Sequence, residues 1–275
     1  MERSREAAAD GERPGVFTMR GRDWTLLPEV FAPPYSASTD AAMELLGFVE
    51  GPQVPRQGSF LEIGCGTGII AVSAALAGCD RVLATDINEH AVENAALNAQ
   101  RHGVADRVSS RHSDLFDALD PDQRFDTVYW HSNFVLAPAG YAYESLHECA
   151  YVDPGYAAHR RYLVEAPLRT TPGGSALLHF SDRGDLAGLH AIADESGREL
   201  DVLSSIRIRE GRELVEHMLI KVSAAPVSAA PVSAAPVSAA SVSAAPVSAA
   251  PAGLGAVLPG ARTRAAAAAA PRTTG

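Results

Sequence analysis

The stretch FLEIGCGTGIIAVSAA, residues 60 to 75, joins a short apolar run to an alanine-rich one through Gly64, Gly66 and Gly68. The short, largely apolar run from Ser59 to Ile63 that ends in glycine reads as a buried strand, and the helix formers from Thr67 to Ala77 read as the helix that follows, with Gly78 as its stop. A tight turn between a strand and a helix is the first unit of an alternating α/β pattern, provided that the pattern repeats. RVLATD (81 to 86) repeats the strand signal, and NEHAVENAALNAQRHG supplies a second helix with Asn88 as N-cap, Glu89 in its first turn and Gly103 at its end.

Further strands are predicted at Val108–His112, Phe125–Trp130 and Gly174–Phe180, with a helical stretch Tyr156–Leu168 between the last two. Residues 185 to 197 read as a helix, and ELDVLSSIRIRE and LVEHMLIKV as a closing pair of strands. Strands that alternate with helices pair in parallel and are covered on both faces, whereas a consecutive closing pair forms an antiparallel edge. The expected fold is a Rossmann-like, doubly wound, mostly parallel sheet with an antiparallel edge strand.

From Ser223 the chain changes character to repeated VSAAP units and a TRAAAAAAPRTTG end. One valine per five residues beside a helix-breaking proline buries too little apolar surface to offset the entropy of ordering the backbone. The domain plan is therefore a disordered start over residues 1 to 15, one folded domain over 16 to 222, and a disordered repeat tail over 223 to 275. The tail holds three arginines and no acid, so the preceding residues carry 20 bases against 33 acids. A surface that negative repels phosphate backbones, and nucleic acid is excluded as an expected partner. The charged start lacks a signal peptide's apolar stretch and no run approaches a membrane span, which places the chain in the cytoplasm. Cys65, Cys79 and Cys149 lack paired spacing, and HEC at 147 to 149 is too compressed for chelation, so no metal is expected.

In an open parallel sheet, ligands bind beyond the carboxyl ends of the strands, where a strand-to-helix turn directs backbone N–H groups outward. The dinucleotide fingerprint needs glycine at position 69, which is Ile69; the spacing here is G-x-G-x-G. Glu62 beside this loop favours a ligand with a cationic amino or sulfonium group over a pyrophosphate. Asp86, at the end of the next strand, is placed to accept hydrogen bonds from two ribose hydroxyls. Asp114 and Leu115, just beyond the third strand, can between them bond an adenine amino group and cover the ring.

The order LEIGCGTG, VLATDIN, SDLF, FDTVYW resembles the class I S-adenosylmethionine-dependent methyltransferases over roughly Val16 to Val222. The resemblance implies a seven-stranded sheet with S-adenosylmethionine over the loop Gly64, Cys65, Gly66 and Gly68, Asp86 on the ribose, Ile87 and Leu115 against the adenine and Asp114 at its amino group. Glu62, or a water it holds, faces the methionine part. Within that family the chain is similar to the branch of release-factor glutamine and small ribosomal methyltransferases: FAPPYSASTDAAMELLG resembles their pre-sheet helix, and WHSNF falls where they carry an Asn-Pro-Pro-Tyr acceptor motif. That motif is altered, because His131, Ser132, Asn133 and Phe134 replace it, and one neutral imidazole splits donor and acceptor between opposite sides of its ring.

The catalytic candidates are accordingly His131 as general base, Asn133 and Tyr156, with Trp130 and Phe134 bordering the substrate. The expected reaction is methyl transfer to a nitrogen or oxygen nucleophile of a small metabolite rather than of a protein. Three alternatives share these residues: cyclisation of S-adenosylmethionine on itself as in azetidine-carboxylate synthases, methylation of a protein glutamine or ribosomal protein, and a non-catalytic partner subunit that keeps the fold.

Because the repeats add little to a core, ending the chain after Val222 is expected to leave the melting temperature unchanged, as thermal denaturation of full-length and shortened protein would show.

Overall fold

The computed structural model describes residues 14–48 and 57–225. The chain begins with a hairpin, β1 (Val16–Met19) and β2 (Arg22–Thr25), followed by helix α1 (Ser38–Leu45). The sheet then opens with β3 (Ser59–Ile63), α2 (Ile69–Leu76), β4 (Arg81–Asp86), α3 (Glu89–Arg101) and β5 (Val108–His112). After β6 (Phe125–His131) two short strands, β7 (Val135–Ala137) and β8 (Val152–Pro154), bracket an excursion that returns through α4 (Ala157–Glu165) to β9 (Thr170–Ser181). Helix α5 (Leu186–Glu195) and the hairpin β10 (Arg198–Glu210) and β11 (Glu213–Ala224) complete it.

The seven-stranded sheet has the order β10-β11-β9-β6-β3-β4-β5. β3, β4, β5, β6 and β9 pair in parallel, and β11 is antiparallel to both its neighbours. The doubly wound, mostly parallel sheet matches the sequence reading, and the reversed strand sits one place in from the edge. The chain runs outward from β3 to β5 and then crosses to β6 on the other side of β3, which creates the topological switch at which such sheets bind ligands.

Residue alternation along the strands divides the core in two. Phe60, Ala84, Tyr129, Leu177 and Leu219 face α1, α2 and α3, whereas Leu61, Val128, Trp130, Leu178, Phe180 and Ile220 face α4 and α5. α2 is buried nearly all round, since its apolar side meets the sheet and its alanines let α3 approach closely. Two asparagines on α3, Asn94 and Asn98, are fully buried. Asn94 accepts from the Leu27 N–H and donates to the Thr25 carbonyl, and Asn98 accepts from the Thr25 N–H and donates to the carbonyls of Thr25 and Thr67. These bonds lash the N-terminal hairpin to the glycine turn. An Arg20–Asp40 ion pair, with Arg20 Nη2 to Oδ2 at 2.8 Å, fixes the same hairpin to α1.

The repeat tail from residue 226 and the residues before 14 lie outside the described residues. β11 continues past Val222, with Ser223 opposite Glu199 and Ala224 opposite Arg198. The folded part thus runs two residues beyond the boundary read from composition, because small residues pair in a ladder through their backbone alone; a truncation that spares the ladder ends after Ala225.

Gly68 shows why one of the three glycines is structural. It sits at φ +77°, and a Cβ there would lie 2.6 Å from the Cα of Ala95 on α3. Gly68→Ala is expected to cost about 2–5 kcal/mol from left-handed strain and the α2–α3 clash together. Gly66, at φ +52° with open space where its Cβ would point, should cost only about 1–2 kcal/mol on the same substitution; chemical denaturation of the two variants distinguishes the cases.

Candidate active site

Three strand ends converge on one cavity of about 1130 Å³, which touches Glu62, Gly64, Cys65, Gly66, Asp86, Ile87, Asp114, Leu115 and the 130–135 segment. The glycine turn that forms its floor is wired to β4. The Cys65 N–H donates to the Thr85 carbonyl at 2.9 Å and the Gly66 N–H to Asp86 Oδ2 at 2.8 Å, while Gly64, Gly66 and Gly68 all hold positive φ. Gly68 itself lies behind the cavity against α3.

Asp86 uses one oxygen for Gly66 and the other for the Asn88 N–H at 2.9 Å. Each oxygen therefore keeps a lone pair for a hydroxyl donor. Burial at the crevice floor pushes its carboxyl upward, opposed by the N–H groups of Gly66, Asn88 and Ile87. Ile87 is 46% exposed and offers an apolar surface beside it. Asp114 meets Arg161 Nη1 at 3.1 Å on α4, and Leu115 adopts φ +48° in a turn clamped by Ser113 Oγ, which donates to the Leu115 carbonyl and accepts from the Ala118 N–H. Left-handed backbone at a leucine costs on the order of 1–2 kcal/mol, and here it lies at a ligand crevice.

Glu62 is 2% exposed, and its Oε2 accepts the Ala71 N–H in the first turn of α2 at 2.8 Å. Burial raises its carboxyl well above the usual range, and the neighbouring Asp86 adds to the effect. An apposed cation would relieve both causes.

The second wall carries the remaining candidates. His131 lies flat on His179, with ring centroids 4.1 Å apart and planes 1° from parallel. Desolvation, with His217 as a lesser cause, lowers its pKa to about 3. The ring is neutral at physiological pH and is a hydrogen-bond partner; a group of that pKa is a poor general base, which corrects the role read from the sequence. Asn133 donates through Nδ2 to the carbonyls of Cys149 and Val152 at 3.1 and 2.8 Å, and its buried Oδ1 has no partner. Trp130 and Phe134 both border the cavity; the indole also packs on His159 and Tyr162, so it serves the core as well. Tyr156 is placed elsewhere. It is buried at φ +53°, donates to the Phe134 carbonyl and accepts the Asp185 N–H, both at 2.7 Å, and does not border the cavity. With both sides of its hydroxyl occupied it is a structural pin rather than the catalytic candidate read from the sequence.

Two further segments roof the cavity: the one that overlaps the stretch resembling a pre-sheet helix, and residues 139–154, to which the sequence assigned no role at the site. Residues 29–40 border it from one side and residues 139–154 from the other, and Phe31 meets Tyr151 with ring centroids 5.4 Å apart. Tyr143 bonds the Val152 carbonyl and Tyr141 bonds the buried Glu148, which hold the second segment in shape. The tip of the β10–β11 hairpin supplies a third side through Arg209, Glu210 and Gly211. Among the described residues no group of His, Cys, Asp or Glu side chains is arranged to hold a metal, and no helix is long and apolar enough to cross a membrane.

Residues 60–152 match the family model described as a methyltransferase domain. Over that stretch the chain is similar to methyltransferase domains. Over 84 residues it is 38% identical to the ribosomal protein L11 methyltransferase of Desulforamulus reducens, covering 30% of this chain and 26% of that protein. Over 69 residues it is 44% identical to the release factor glutamine methyltransferase of Rhodopirellula baltica, covering 25% and 23%. The chain thus spans about a quarter of the length of these curated relatives. A methyltransferase structure from Pyrococcus furiosus superposes with a TM-score of 0.51 at 20% identity over 80% of this chain and 94% of that one, which shows the shared fold.

The methyl donor of such a domain is S-adenosylmethionine, and the methyltransferase crevice fits it by its own chemistry. Two upward-shifted carboxylates lie on the floor, Asp86 keeps free lone pairs, Gly66 has open space on its Cβ side, and Ile87 exposes an apolar face.

A carboxyl raised by folding makes the native state bind more protons than the unfolded one, so Glu62 subtracts stability as pH climbs from its ordinary 4.5 through its raised value. Glu62→Gln is expected to raise the melting temperature of the ligand-free methyltransferase domain at pH 7 and to flatten the decline above pH 4.5; melting curves over pH 4–8 measure both, and an unchanged profile would contradict the assignment.

Proposed function

We propose that the chain is an S-adenosylmethionine-dependent methyltransferase acting on a nitrogen or oxygen nucleophile of a small metabolite. The observation that carries this reading is one continuous cavity in which the glycine–carboxylate floor faces His131 and Asn133 beneath a roof of residues 29–40 and 139–154. S-adenosylmethionine supplies an electrophilic methyl group on a sulfonium. The chain's part is to bind, orient and exclude water, since in-line displacement onto a competent nucleophile needs mainly positioning.

In this reading Asp86 binds the ribose hydroxyls, Ile87 and Leu115 flank the adenine, and the Asp114 carboxylate, oriented by Arg161, accepts from its amino group. Glu62 and the N–H groups of the turn hold the methionine end. His131, neutral, accepts a hydrogen bond from the N–H or O–H of the incoming nucleophile. Asn133 borders the same wall, with its Nδ2 bonded to the carbonyls of Cys149 and Val152. An amine that brings its own N–H donor satisfies His131 without a strong base.

A small acceptor follows from the roof, because the cavity must hold donor and acceptor together under two bonded segments and a hairpin tip. A protein side chain is the competing reading, favoured by the names of the ribosomal protein L11 and release-factor relatives. Their identity to this chain spans only a quarter of their length. A cytoplasmic setting accords with either substrate.

Asp86→Ala is expected to weaken S-adenosylmethionine binding by about 1.5–3 kcal/mol, roughly 10- to 100-fold, because a charge-assisted pair of hydroxyl contacts is lost. Titration calorimetry of the folded variant tests this, and unchanged affinity would reject the crevice as the donor site. Mass spectrometry of the turnover products separates methyl transfer, which leaves S-adenosylhomocysteine, from self-cyclisation, which leaves methylthioadenosine.

A further inference from the structure

A row of polar side chains crosses the α1–α3 face of the sheet, and the proposed chemistry uses only Glu62 and His131 of it. Glu62 on β3 is opposite Tyr129 on β6; His131 on β6 is opposite His179 on β9; and His217 on β11 is opposite Ser181, two residues on from His179. Tyr129, His179 and His217 are wholly buried. Tyr129 Oη is 3.3 Å from His179 Nδ1, His179 Nε2 is 2.9 Å from His217 Nδ1, and His217 Nε2 is 3.1 Å from Glu210 Oε1. Glu210 is also ion-paired with Arg183, and both side chains reach the cavity at the hairpin wall.

The direction of this chain is fixed at its exposed end. A carboxylate only accepts, so His217 donates to Glu210 through Nε2–H, and a neutral ring then accepts through Nδ1. His179 must donate to it through Nε2–H, which leaves His179 Nδ1 to accept the Tyr129 hydroxyl. One tautomer at each ring satisfies all three links. Desolvation lowers His179 and His217 below the usual imidazole range, in agreement with neutral rings. The charged and titratable groups around the pair are Tyr129, His131, Asp182, Arg183 and Glu210. Ser132 adds a clamp, since its N–H and Oγ both donate to the His179 carbonyl, at 3.2 and 2.9 Å.

We propose that His179 and His217 are positioning residues for the acceptor wall: the one-way chain from Tyr129 to Glu210 locks His179 as a flat, neutral platform beneath His131 and ties the β10–β11 hairpin tip to it. This rests on the reading of His131 as the residue that meets the nucleophile. Two wholly buried imidazoles are an expensive way to fill a sheet face that leucines would fill, and a fully satisfied network in a low-dielectric interior is rigid. The rigidity is delivered to the one ring that stacks on it and faces the cavity.

Long-range proton–nitrogen spectroscopy on the full chain labelled at histidine is the first test. At pH 7 both His179 and His217 are expected as Nε2–H tautomers with bare Nδ1; an Nδ1–H tautomer or a charged ring at either position overturns the proposal. His217→Leu removes both links, and His179 is then expected to lose its single Nε2–H tautomer, whereas His217→Gln, with a carbonyl acceptor and an N–H donor, keeps it. A single unchanged Nε2–H tautomer at His179 in the leucine variant overturns the proposal, and a purely space-filling role would move only the melting temperature. If the leucine variant does not fold, Glu210→Ala at the rim is expected to give mixed tautomers at His217, and a single unchanged tautomer there rejects the chain. Calorimetry with S-adenosylhomocysteine on the wild type, run in parallel, tests the donor site alone, so failure of that reading is separable from failure of this one.

Discussion

The fold and the crevice both depend on a pair of hydrogen bonds that hold the left-handed turn after β3 against the end of β4: Cys65 N–H to the Thr85 carbonyl and Gly66 N–H to the Asp86 carboxylate. A turn through three positive-φ residues points its N–H groups outward and starts a helix at once. It also leaves the backbone with too few contacts to define itself. The neighbouring strand supplies what is missing, and the carboxylate that braces the turn is the one left with lone pairs toward the crevice. Stability and ligand geometry are thereby carried by the same atoms.

Around that turn, the asparagines of α3 play the part that an apolar residue would play in an ordinary helix. Asn94 and Asn98 are buried without being left unsatisfied, because the end of the N-terminal hairpin, at Thr25 and Leu27, brings its own N–H and C=O groups to them. Each carboxamide replaces part of a β-ladder. The gain is an N-terminal segment fixed over the donor side of the cavity, at the cost of a helix whose propensity is lowered by residues that prefer turns.

The acceptor side is organised differently. There the sheet presents a polar row, Tyr129, His131, His179 and His217, on a face otherwise occupied by Phe60, Leu177 and Leu219. Burial keeps the imidazoles neutral, which makes His131 a poor base. The electrostatic load falls on the carboxylates of the floor, whose raised values reflect desolvation that a cationic donor would offset.

The strand–helix alternation, the ends of β3 to β6 and the floor residues Glu62, Gly64, Gly66, Asp86, Ile87, Asp114 and Leu115 were legible because their signals are local: apolar period, glycine spacing, caps, and carboxylates at strand ends. The three glycines needed one another's neighbours to be told apart, since only the approach of Ala95 separates Gly68 from Gly66. What tertiary structure alone decided lies on the acceptor wall. Tyr156 turned inward to pin Phe134 and Asp185, the 139–154 segment folded into a roof, and His179 and His217, 38 residues apart in the chain, met across β9 and β11. A histidine's charge state and role depend on how dry its surroundings are and on which partner each ring nitrogen finds, and both are set by strands that the sequence brings together only once the sheet has formed.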